Sequence, residues 1–532
     1  MNQPTITGFS FIGNERGSST HQPFRTYYSA GREENPWLFY AASKEETARA
    51  LELASTAFEA YKNVTHAQRA EFLRSIANEI IGLDELLLEV YMRESSLPLA
   101  RARAERSRTV HQLTSMARWI EEGRHLGIII ETAQPSPEGI NRVDLRKMHI
   151  PLGTVAVFGA SNFPLAYSTA GGDTASALAA GCPVIVKGHP MHAGTGELVA
   201  GAVIRAARAT GMPNGVFSNL HAFDYQIGQQ LVEHPAVAAV GFTGSHAGGR
   251  ALFDLASKRK NPIPVFAEMG STNPVIILPS SIENDVERSQ WVVKITASMT
   301  NGAGQFCTQP GLLFMLRSAA SDAFRQDMTQ HVLESQKQAM LHPGIYDRFK
   351  KGKESVMAAQ GVRRAADGGQ QDMYAGGVLL ELDARDFVSN PHLHQEVFGP
   401  LSLAVLCESM EEMRSALATL EGQLTGTLIG EPTELKESGL VEVLREKVGR
   451  LIFNGVPTGV EVNAAMQHGG PYPATTDARF TAVGPKSIDR WMRPITFQNT
   501  PEELLPEELQ LKTTAYPRIL NGNLLAGDEA GH

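Results

Sequence analysis

The spacing of apolar positions divides the chain into a helical first part and a longer part of alternating strands and helices. Between residues 44 and 124, apolar residues recur every three to four positions with charged residues between them, which predicts amphipathic helices. From residue 151 onward, short β-branched runs such as TVAVFGA and PVIVKG alternate with Ala-rich helical stretches. A second alternating set covers about residues 273–470. This pattern predicts two α/β domains, each with a largely parallel sheet covered by helices.

Two further segments flank these domains. GIIIETA and NRVDLRKMHI have the composition of strands and enclose a Pro-rich turn, so this pair could extend from the body as an arm. The stretch from Pro501 to the end contains little periodic pattern. We expect it to be a tail that wraps the surface.

Composition and charge exclude several classes of protein. The chain has 532 residues, of which 42% are hydrophobic and 20% charged, a balance typical of globular proteins. A formal net charge of -9 argues against a nucleic-acid or anionic-membrane surface, which needs clustered Lys and Arg. We find neither a signal-peptide pattern at the start nor an apolar run long enough to span a bilayer. We therefore expect a cytoplasmic protein.

The three cysteines, Cys182, Cys307 and Cys407, are odd in number and widely spaced. This argues against a disulfide framework and a structural zinc site, and we expect no metal. Cys307 differs from a packing cysteine because it follows Gly-Ala-Gly, slim residues that would let a substrate approach. A nucleophilic thiol also needs a partner that lowers its pKa or accepts its proton.

Two other polar residues stand where strands are expected to end. Glu268 in VFAEMG could act as a base, and Asn162 in GASNFP could donate to a developing oxyanion. Each residue alone is more typical of a turn or cap. Their joint occurrence with Cys307 favours a catalytic site.

Strand ends in parallel sheets also bind nucleotides, but the usual fingerprint GxGxxG is absent. In GFTGSHAGGR, Gly244 permits a tight turn and Ser245 can cap a helix whose N-terminus could hold a pyrophosphate. A plain capped turn explains that segment equally well. Lys187 follows a strand directly, where its ammonium either reaches a ribose or phosphate or is solvated.

Six motifs together resemble the aldehyde dehydrogenase superfamily: SNFP, VIVKG, GFTGS, AEMGSTNP, GQFC and QEVFGP occur in its order and at roughly its spacings. The resemblance extends from about residue 25 to 500. The stretches VFGASNFPLAYSTAGGD, GQFCTQPG and HGGPYPATTD look most like the α-ketoglutarate semialdehyde (2,5-dioxopentanoate) dehydrogenase group. The bacterial long-chain fatty aldehyde dehydrogenases are near relatives of that group.

The resemblance implies a fold and its division. We expect a Rossmann-type cofactor-binding domain from residues 1–127 and 151–269, and an α/β catalytic domain from residues 270–470. A β oligomerisation arm from residues 128–150 and 485–500 would support a homodimer or tetramer. Residues 501–532 would form the C-terminal tail.

The resemblance also assigns roles to residues. Cys307 would attack an aldehyde to give a thiohemiacetal and then a thioester, Asn162 would hold the oxyanion, and Glu268 would activate water. Glu396 would hold the nicotinamide ribose, and Phe398 would line the pocket of the ring. All three catalytic residues are present, which argues against the alternative of a catalytically silent binding protein.

Cofactor and substrate choice depend on departures from the common family pattern. Family members that prefer NAD usually have a glutamate where this chain has Pro190, so we expect NADP use, with NAD as a second possibility. His189, His192 and Thr195 are conceivable neighbours of the phosphate or residues of a surface loop.

For the substrate, Arg108 is the candidate anchor of a distal carboxylate, or a solvated helix-face arginine. Phe163, Tyr167 and Phe306 resemble the residues that line the substrate tunnel. An aromatic tunnel also suits a long-chain or other aliphatic aldehyde, which stays the alternative substrate.

Overall fold

The computed structural model describes residues 5–135, 139 and 142–527. Within them the chain forms two seven-stranded sheets, a five-stranded sheet and three smaller sheets. The predicted α/β class with parallel sheets is confirmed. None of the described helices is long and apolar enough to cross a membrane.

The first part of the chain contains short strands and then the four amphipathic helices that the spacing predicts. Ser43 and Thr65 begin the first two helices, and each forms a reciprocal capping box, with Glu46 and Gln68 respectively. The elements are β1 Phe11–Ile12, β2 Glu15–Arg16, β3 Pro23–Phe24, β4 Tyr27–Tyr28, β5 Glu33–Glu34, β6 Phe39–Tyr40, α1 Lys44–Tyr61, α2 His66–Ile81, α3 Asp84–Ser95 and α4 Leu99–Glu121.

Two strands of the expected arm come next: β7 Ile128–Glu131 and β8 Leu145–Pro151. The first large sheet follows, in the order β13-β12-β9-β10-β11-β1-β2, and its five strands from β9 to β13 are parallel. Its elements are β9 Thr154–Phe158, α5 Gly172–Ala180, β10 Val184–Lys187, α6 Ala193–Ala209, β11 Phe217–Leu220, α7 Gln226–Glu233, β12 Val237–Thr243, α8 His246–Ser257 and β13 Val265–Glu268.

The second large sheet has the order β17-β20-β21-β15-β14-β22-β23 and is parallel except for β17. The strands of a small sheet, in the order β16-β19-β18, come between strands of this sheet along the chain. The elements are β14 Val275–Ile277, α9 Asp285–Thr300, β15 Leu312–Leu316, α10 Ala319–Glu334, β16 Gln338–Ala339, α11 Pro343–Met357, β17 Arg363–Asp367, β18 Gln370–Gln371, β19 Tyr374–Ala375, β20 Val378–Asp383, α12 Ala384–Ser389, β21 Leu401–Cys407, α13 Met410–Ala418, β22 Gln423–Ile429, α14 Pro432–Glu437, α15 Leu440–Arg445 and β23 Val448–Phe453.

The last part of the chain differs from the expected surface-wrapping tail. β24 Met492–Gln498 lies in the expected arm, and the tail after it adds the strands β25 Arg518–Leu520 and β26 Asn523–Leu525. The five-stranded sheet has the order β24-β8-β7-β25-β26. The tail strand β25 pairs in parallel with β7. Leu505 and Leu509 are buried against Ile128 and Ile130 of that sheet. The tail is therefore part of the hydrophobic core of the arm. Its strands have only three residues each, too few to be recognised from the sequence pattern.

The end of strand β13 lies beside a segment that is distant in sequence, residues 474–475. The backbone N–H of Met269 donates to the carbonyl of Ala474, and Glu268 forms a bridge with Thr475. The segment that contains the motif HGGPYPATT thus runs along the end of the edge strand β13. Residues from about 468 to 476 are brought to the carboxyl edge of the first sheet.

We predict that the tail is required for the stability of the arm. Leu509→Ala should lower the free energy of unfolding by about 2–5 kcal/mol, because it removes a fully buried side chain and leaves a cavity. Leu504→Ala is the matched control, since Leu504 is 69% exposed. This substitution should change the free energy of unfolding by less than about 0.5 kcal/mol. Urea denaturation followed by fluorescence measures both. Equal effects would mean that the tail does not contribute to the core.

Candidate active site

A cavity of about 150 Å³ lies where the strand ends of the first sheet meet the loop that precedes β15. It brings together seven of the residues that the sequence singled out: Asn162, Gly244, Ser245, Glu268, Cys307, Glu396 and Phe398. Ser161, Thr243, Met269, Gly270, Ile345 and Arg348 complete the lining.

The slim residues before Cys307 have a backbone function. After α9, Gly302, Ala303 and Gly304 adopt φ angles of 57°, 54° and 63°, in the left-handed region that favours glycine. A Cβ on Gly304 would lie 2.4 Å from the carbonyl carbon of Gly399. The Gly-Ala-Gly sequence is thus needed for a tight turn against the neighbouring backbone. We did not infer this backbone role from the sequence, and the approach of a substrate past these residues stays a prediction.

Amide side chains hold the cysteine loop in place. The Nδ2 of Asn273 donates to the carbonyl of Cys307 at 2.8 Å and to that of Gln309 at 2.9 Å. The Nδ2 of Asn162 donates to the carbonyl of Gln305 at 2.9 Å. Since a primary amide has two N–H groups, the second N–H of Asn162 is available to a ligand. The loop therefore positions both Cys307 and its expected oxyanion donor.

Burial dominates the electrostatics of the two reactive groups. It raises the pKa of Glu268 to about 8, with the Glu396 and Asp173 carboxylates adding to the effect. Burial and then the Glu268 carboxylate raise the pKa of Cys307 well above its usual value, while the guanidiniums of Arg108 and Arg450 oppose that shift. A glutamate whose pKa is near neutral pH suits a general base. The resting site favours a neutral thiol.

His468 is a third polar group at this point, and our reading of the sequence missed it. Its Nε2 lies 3.5 Å from the Sγ of Cys307 and 3.6 Å from Oε1 of Glu268. Burial lowers its pKa to about 3, so the imidazole is neutral. The quoted motif HGGPYPATTD contained this histidine, but nothing in its spacing linked it to Cys307, 161 residues earlier.

The cofactor side of the cavity contains features that fit a nucleotide. Ser245 caps α8 as predicted, with its Oγ accepting from the N–H of Gly248. A Cβ on Gly270 would lie 2.3 Å from a carboxylate oxygen of Glu396, so a larger residue there would displace that carboxylate. Burial raises the pKa of Glu396 to about 8. A helix N-terminus and a buried carboxyl that can accept from ribose hydroxyls suit the two halves of a dinucleotide.

Lys187 and Pro190 lie outside the lining of this cavity. Lys187 ends β10, two strands from β12 in the same sheet, and Pro190 begins the short helical turn Pro190–His192. Burial lowers the pKa of Lys187 to about 8, and the Asp224 carboxylate opposes that shift. Both residues nevertheless lie at the carboxyl edge of the first sheet, where nucleotides bind.

Two of the three conceivable phosphate neighbours are buried and already paired. The hydroxyl and the N–H of Thr195 donate to Glu94, which also accepts from the N–H of Gly194 at the start of α6. His192 is hydrogen-bonded to the carbonyl of Ala160. These residues are not a surface loop, and Glu94 occupies the N-terminus of α6. His189 is partly buried beside His192, with its ring centroid 5.2 Å away.

The predicted substrate residues form one cluster. Phe163 packs edge-on against Tyr167 and Phe306, with centroids 5.1 and 5.6 Å apart, and Arg108 donates to the Tyr167 hydroxyl at 2.8 Å. Arg101, which we did not single out, stacks its guanidinium 4.4 Å and 4.5 Å from the centroids of Phe163 and Phe306. The aromatic cluster thus has two cations on its face.

Glu105 fixes the loop that supplies these aromatic residues. This carboxylate on α4 is buried, and Oε1 accepts from the N–H groups of Leu165 and Ala166 at 2.8 and 3.0 Å. Oε2 accepts from the Tyr91 hydroxyl at 2.6 Å and lies 3.4 Å from Nε of Arg101. Glu105 therefore links the loop at Leu165 and Ala166 with the guanidinium of Arg101. In the sequence it was one of many charged residues on a helix.

Comparison with known proteins agrees with this arrangement. The model of the aldehyde dehydrogenase family matches residues 17–472. This chain belongs to the aldehyde dehydrogenase family. The recognition made from six separated motifs is thereby confirmed.

Two curated relatives match this aldehyde dehydrogenase over nearly its full length. Alpha-ketoglutaric semialdehyde dehydrogenase 2 of Azospirillum brasilense is 45% identical and covers 97% of this chain and 99% of its own. Alpha-ketoglutaric semialdehyde dehydrogenase of Acinetobacter baylyi is 41% identical and covers 97% and 98%.

Solved structures show the same fold at low identity. A betaine aldehyde dehydrogenase from Staphylococcus aureus, in complex with NAD+, has a TM-score of 0.79 at 18% identity and covers 93% of this chain and 97% of its own. A 1-pyrroline-5-carboxylate dehydrogenase from Thermus with bound NAD has a TM-score of 0.77 at 19% identity, covering 92% of each chain. These confirm the expected fold class of this aldehyde dehydrogenase.

Proposed function

We propose that this aldehyde dehydrogenase oxidises α-ketoglutarate semialdehyde to 2-oxoglutarate, with NADP preferred over NAD. The observation that supports the chemistry is the cavity in which Cys307, Glu268 and Asn162 converge. The substrate is that of the two relatives at 45% and 41% identity. The aromatic and arginine cluster next to this cavity supports the same substrate.

Cys307 is the nucleophile in this proposal. Its Sγ bonds to the aldehyde carbon while the thiol proton passes to solvent and the C=O π bond breaks, and the product is a thiohemiacetal anion. The free N–H of Asn162 donates to the oxygen on which negative charge develops. Because Gln305 holds the other N–H, this donor needs no reorientation. A preorganised donor of this kind is worth about 10²- to 10³-fold in rate.

Glu268 acts in the second half of the reaction. A bound nicotinamide would accept hydride from the thiohemiacetal, which becomes a thioester by this loss. Glu268 then takes a proton from water, whose oxygen attacks the thioester carbon and releases the acid and the Cys307 thiol. A pKa of about 8 makes this carboxylate a stronger base than an exposed glutamate.

The two large sheets share this work. We assign cofactor binding to a domain of residues 1–127 and 151–269, with Lys187, Gly244 and Ser245 as contacts. Glu396 and Phe398 reach the cofactor from the catalytic domain. The nucleophile belongs to a catalytic domain of residues 270–470. We propose that the arm, residues 128–150 and 485–500, joins copies of the chain, because Met492–Gln498 is an edge strand of the five-stranded sheet and its outer backbone groups can pair with another chain.

The substrate end of the site is built for an anion. The semialdehyde carries a 2-oxo acid at the end opposite the aldehyde, and the guanidiniums of Arg101 and Arg108 lie on the faces of Phe163 and Tyr167. Arg108 is hydrogen-bonded to a neutral phenol, so its positive charge is not neutralised there. A carboxylate at this point can accept charge-assisted hydrogen bonds from both arginines.

NADP preference rests on Pro190. A carboxylate at the start of the turn after Lys187 would repel a 2′-phosphate, and proline removes that repulsion. Lys187 is three residues before Pro190 in the sequence, and its ammonium group can pair with the 2′-phosphate. The N-terminus of α6 takes no part, because Glu94 already occupies it.

We predict that Glu268→Gln stops the reaction after the thioester. A single burst of reduced cofactor, equal to the enzyme present, should precede a steady-state rate about 10²- to 10⁴-fold below wild type, because the general base is lost. Rapid-mixing absorbance measures both phases. Cys307→Ser is the control and should show no burst. An unchanged steady state in Glu268→Gln would refute the role of Glu268.

We predict that each anchor arginine contributes to substrate selection. Arg101→Ala and Arg108→Ala should each lower kcat/KM for α-ketoglutarate semialdehyde roughly 10- to 100-fold, the effect of losing one hydrogen bond to a charged group. Hexanal oxidation should change little. Arg103→Ala on the same helix is the matched control, because its side chain is 55% exposed. A wild type that prefers hexanal, with unaffected variants, would favour the aliphatic alternative.

We predict that Pro190→Glu shifts the cofactor preference toward NAD. The new carboxylate should lower kcat/KM for NADP about tenfold or more by repulsion of the 2′-phosphate, while NAD gains a hydrogen-bond acceptor for its ribose. Pro190→Gln keeps the shape without the charge and is the control. Initial rates with both nucleotides test this. If the two variants have the same effect, charge at this position does not determine the choice.

A further inference from the structure

Three donor atoms of different elements converge on one point of the active site. Sγ of Cys307, Nε2 of His468 and a carboxylate oxygen of Glu268 all lie within 4.8 Å of one another. They come from the loop before β15, the segment along β13 and the end of β13 itself. Because these residues are far apart in sequence, no spacing of ligand residues could have indicated them.

Two of the three separations match those of a tetrahedral zinc ion, and the third, from Sγ to the carboxylate oxygen, is within 4.8 Å. Zn–S and Zn–N bonds of about 2.3 and 2.0–2.1 Å at the tetrahedral angle place the sulfur and nitrogen about 3.5 Å apart, and nitrogen and oxygen about 3.4 Å apart. The observed distances are 3.5 Å from Sγ to Nε2 and 3.6 Å from Nε2 to Oε1. The ion would therefore require little movement of the side chains.

An unpartnered group supports the same point. Oε1 of Glu268 is buried and has no hydrogen-bond partner among the described residues, and the residue is 3% exposed. Burial of such an oxygen without a partner costs free energy, which a ligand at this position recovers. Cys307 and Glu268 also line the 150 Å³ cavity, so an ion and a water as fourth ligand have room beside them.

We propose that Cys307, His468 and Glu268 form a three-ligand site for a borderline-soft divalent cation such as Zn²⁺, which blocks the enzyme reversibly. Binding replaces the protons of the thiol and the carboxyl with bonds to the metal, and these protons leave to solvent. The hard cation Mg²⁺ does not suit a thiolate and imidazole set. The inhibition rests on the proposed roles of Cys307 and Glu268, whereas the coordination does not.

The experiment uses Co²⁺ as a spectroscopic probe of the purified full-length chain. One equivalent of Co²⁺ should give a thiolate-to-cobalt charge-transfer band and the intense visible bands of tetrahedral cobalt, both removed by excess Zn²⁺ but not by Mg²⁺. Cys182 and Cys407 are buried outside this cluster, so Cys307→Ser should abolish the charge-transfer band. A wild type without that band would overturn the proposal.

Variants separate a built site from simple thiol poisoning. His468→Asn removes a direct ligand and should weaken inhibition by Zn²⁺ by at least about 10- to 100-fold, the loss typical of groups that only support a ligand. His21→Asn, at an exposed position, should leave the inhibition unchanged. Equal inhibition of both variants would mean that Cys307 alone binds the metal. If His468→Asn does not fold, the cobalt spectrum of wild type decides. Aldehyde oxidation by Cys307→Ser would refute the proposed function but not the site.

Discussion

The active site depends on the burial of ionisable groups around one small cavity. Glu268 and Glu396 both have a pKa near 8, and Cys307 has a pKa well above that of a free thiol, in each case mainly because burial penalises the charged form. Such groups are neutral in the resting site but become reactive when a substrate or cofactor brings charge. The fold must hold them together at a cost in stability that other contacts offset.

Hydrogen bonds from side-chain amides and carboxylates to backbone groups supply that support. Asn273 holds the carbonyls on both sides of Thr308, and its own Oδ1 accepts from Ser271 and Thr425. Gln423 Oε1 accepts from Ser271 and Thr272. Glu105 performs the same function for the loop after Asn162. Except for the bond from Ser271 to Asn273, these bonds link segments distant in sequence, so the geometry of the site is a property of the whole domain pair.

The sequence was sufficient for the groups that lie in local motifs. The class of fold follows from the alternation of strands and helices, and the helices before residue 124 follow from the apolar spacing. Glu268 and Asn162 come from strand ends at one edge of a parallel sheet, whereas Cys307, in the loop before β15, was linked to them by the order of the motifs. His468, Arg101 and Glu105 could not be recognised, because their importance depends on which distant residue they contact. The prediction for the tail was incomplete for another reason. Strand β25 has only three residues, too few for a recognisable hydrophobic pattern, and it is stabilised by pairing with β7.

The position of the two arginines shows how the site can keep free positive charge in a partly buried place. Neither guanidinium is surrounded by carboxylates: Arg108 contacts a phenol and an aromatic face, and Arg101 lies on two rings with Glu105 at 3.4 Å. Glu105 in turn uses its other oxygen for two backbone N–H groups, so its negative charge is shared. Aromatic faces stabilise a cation without neutralising it. In the proposed substrate site, Arg108 thus keeps its charge for a carboxylate, whereas the ion pair with Glu105 at 3.4 Å offsets part of the charge of Arg101.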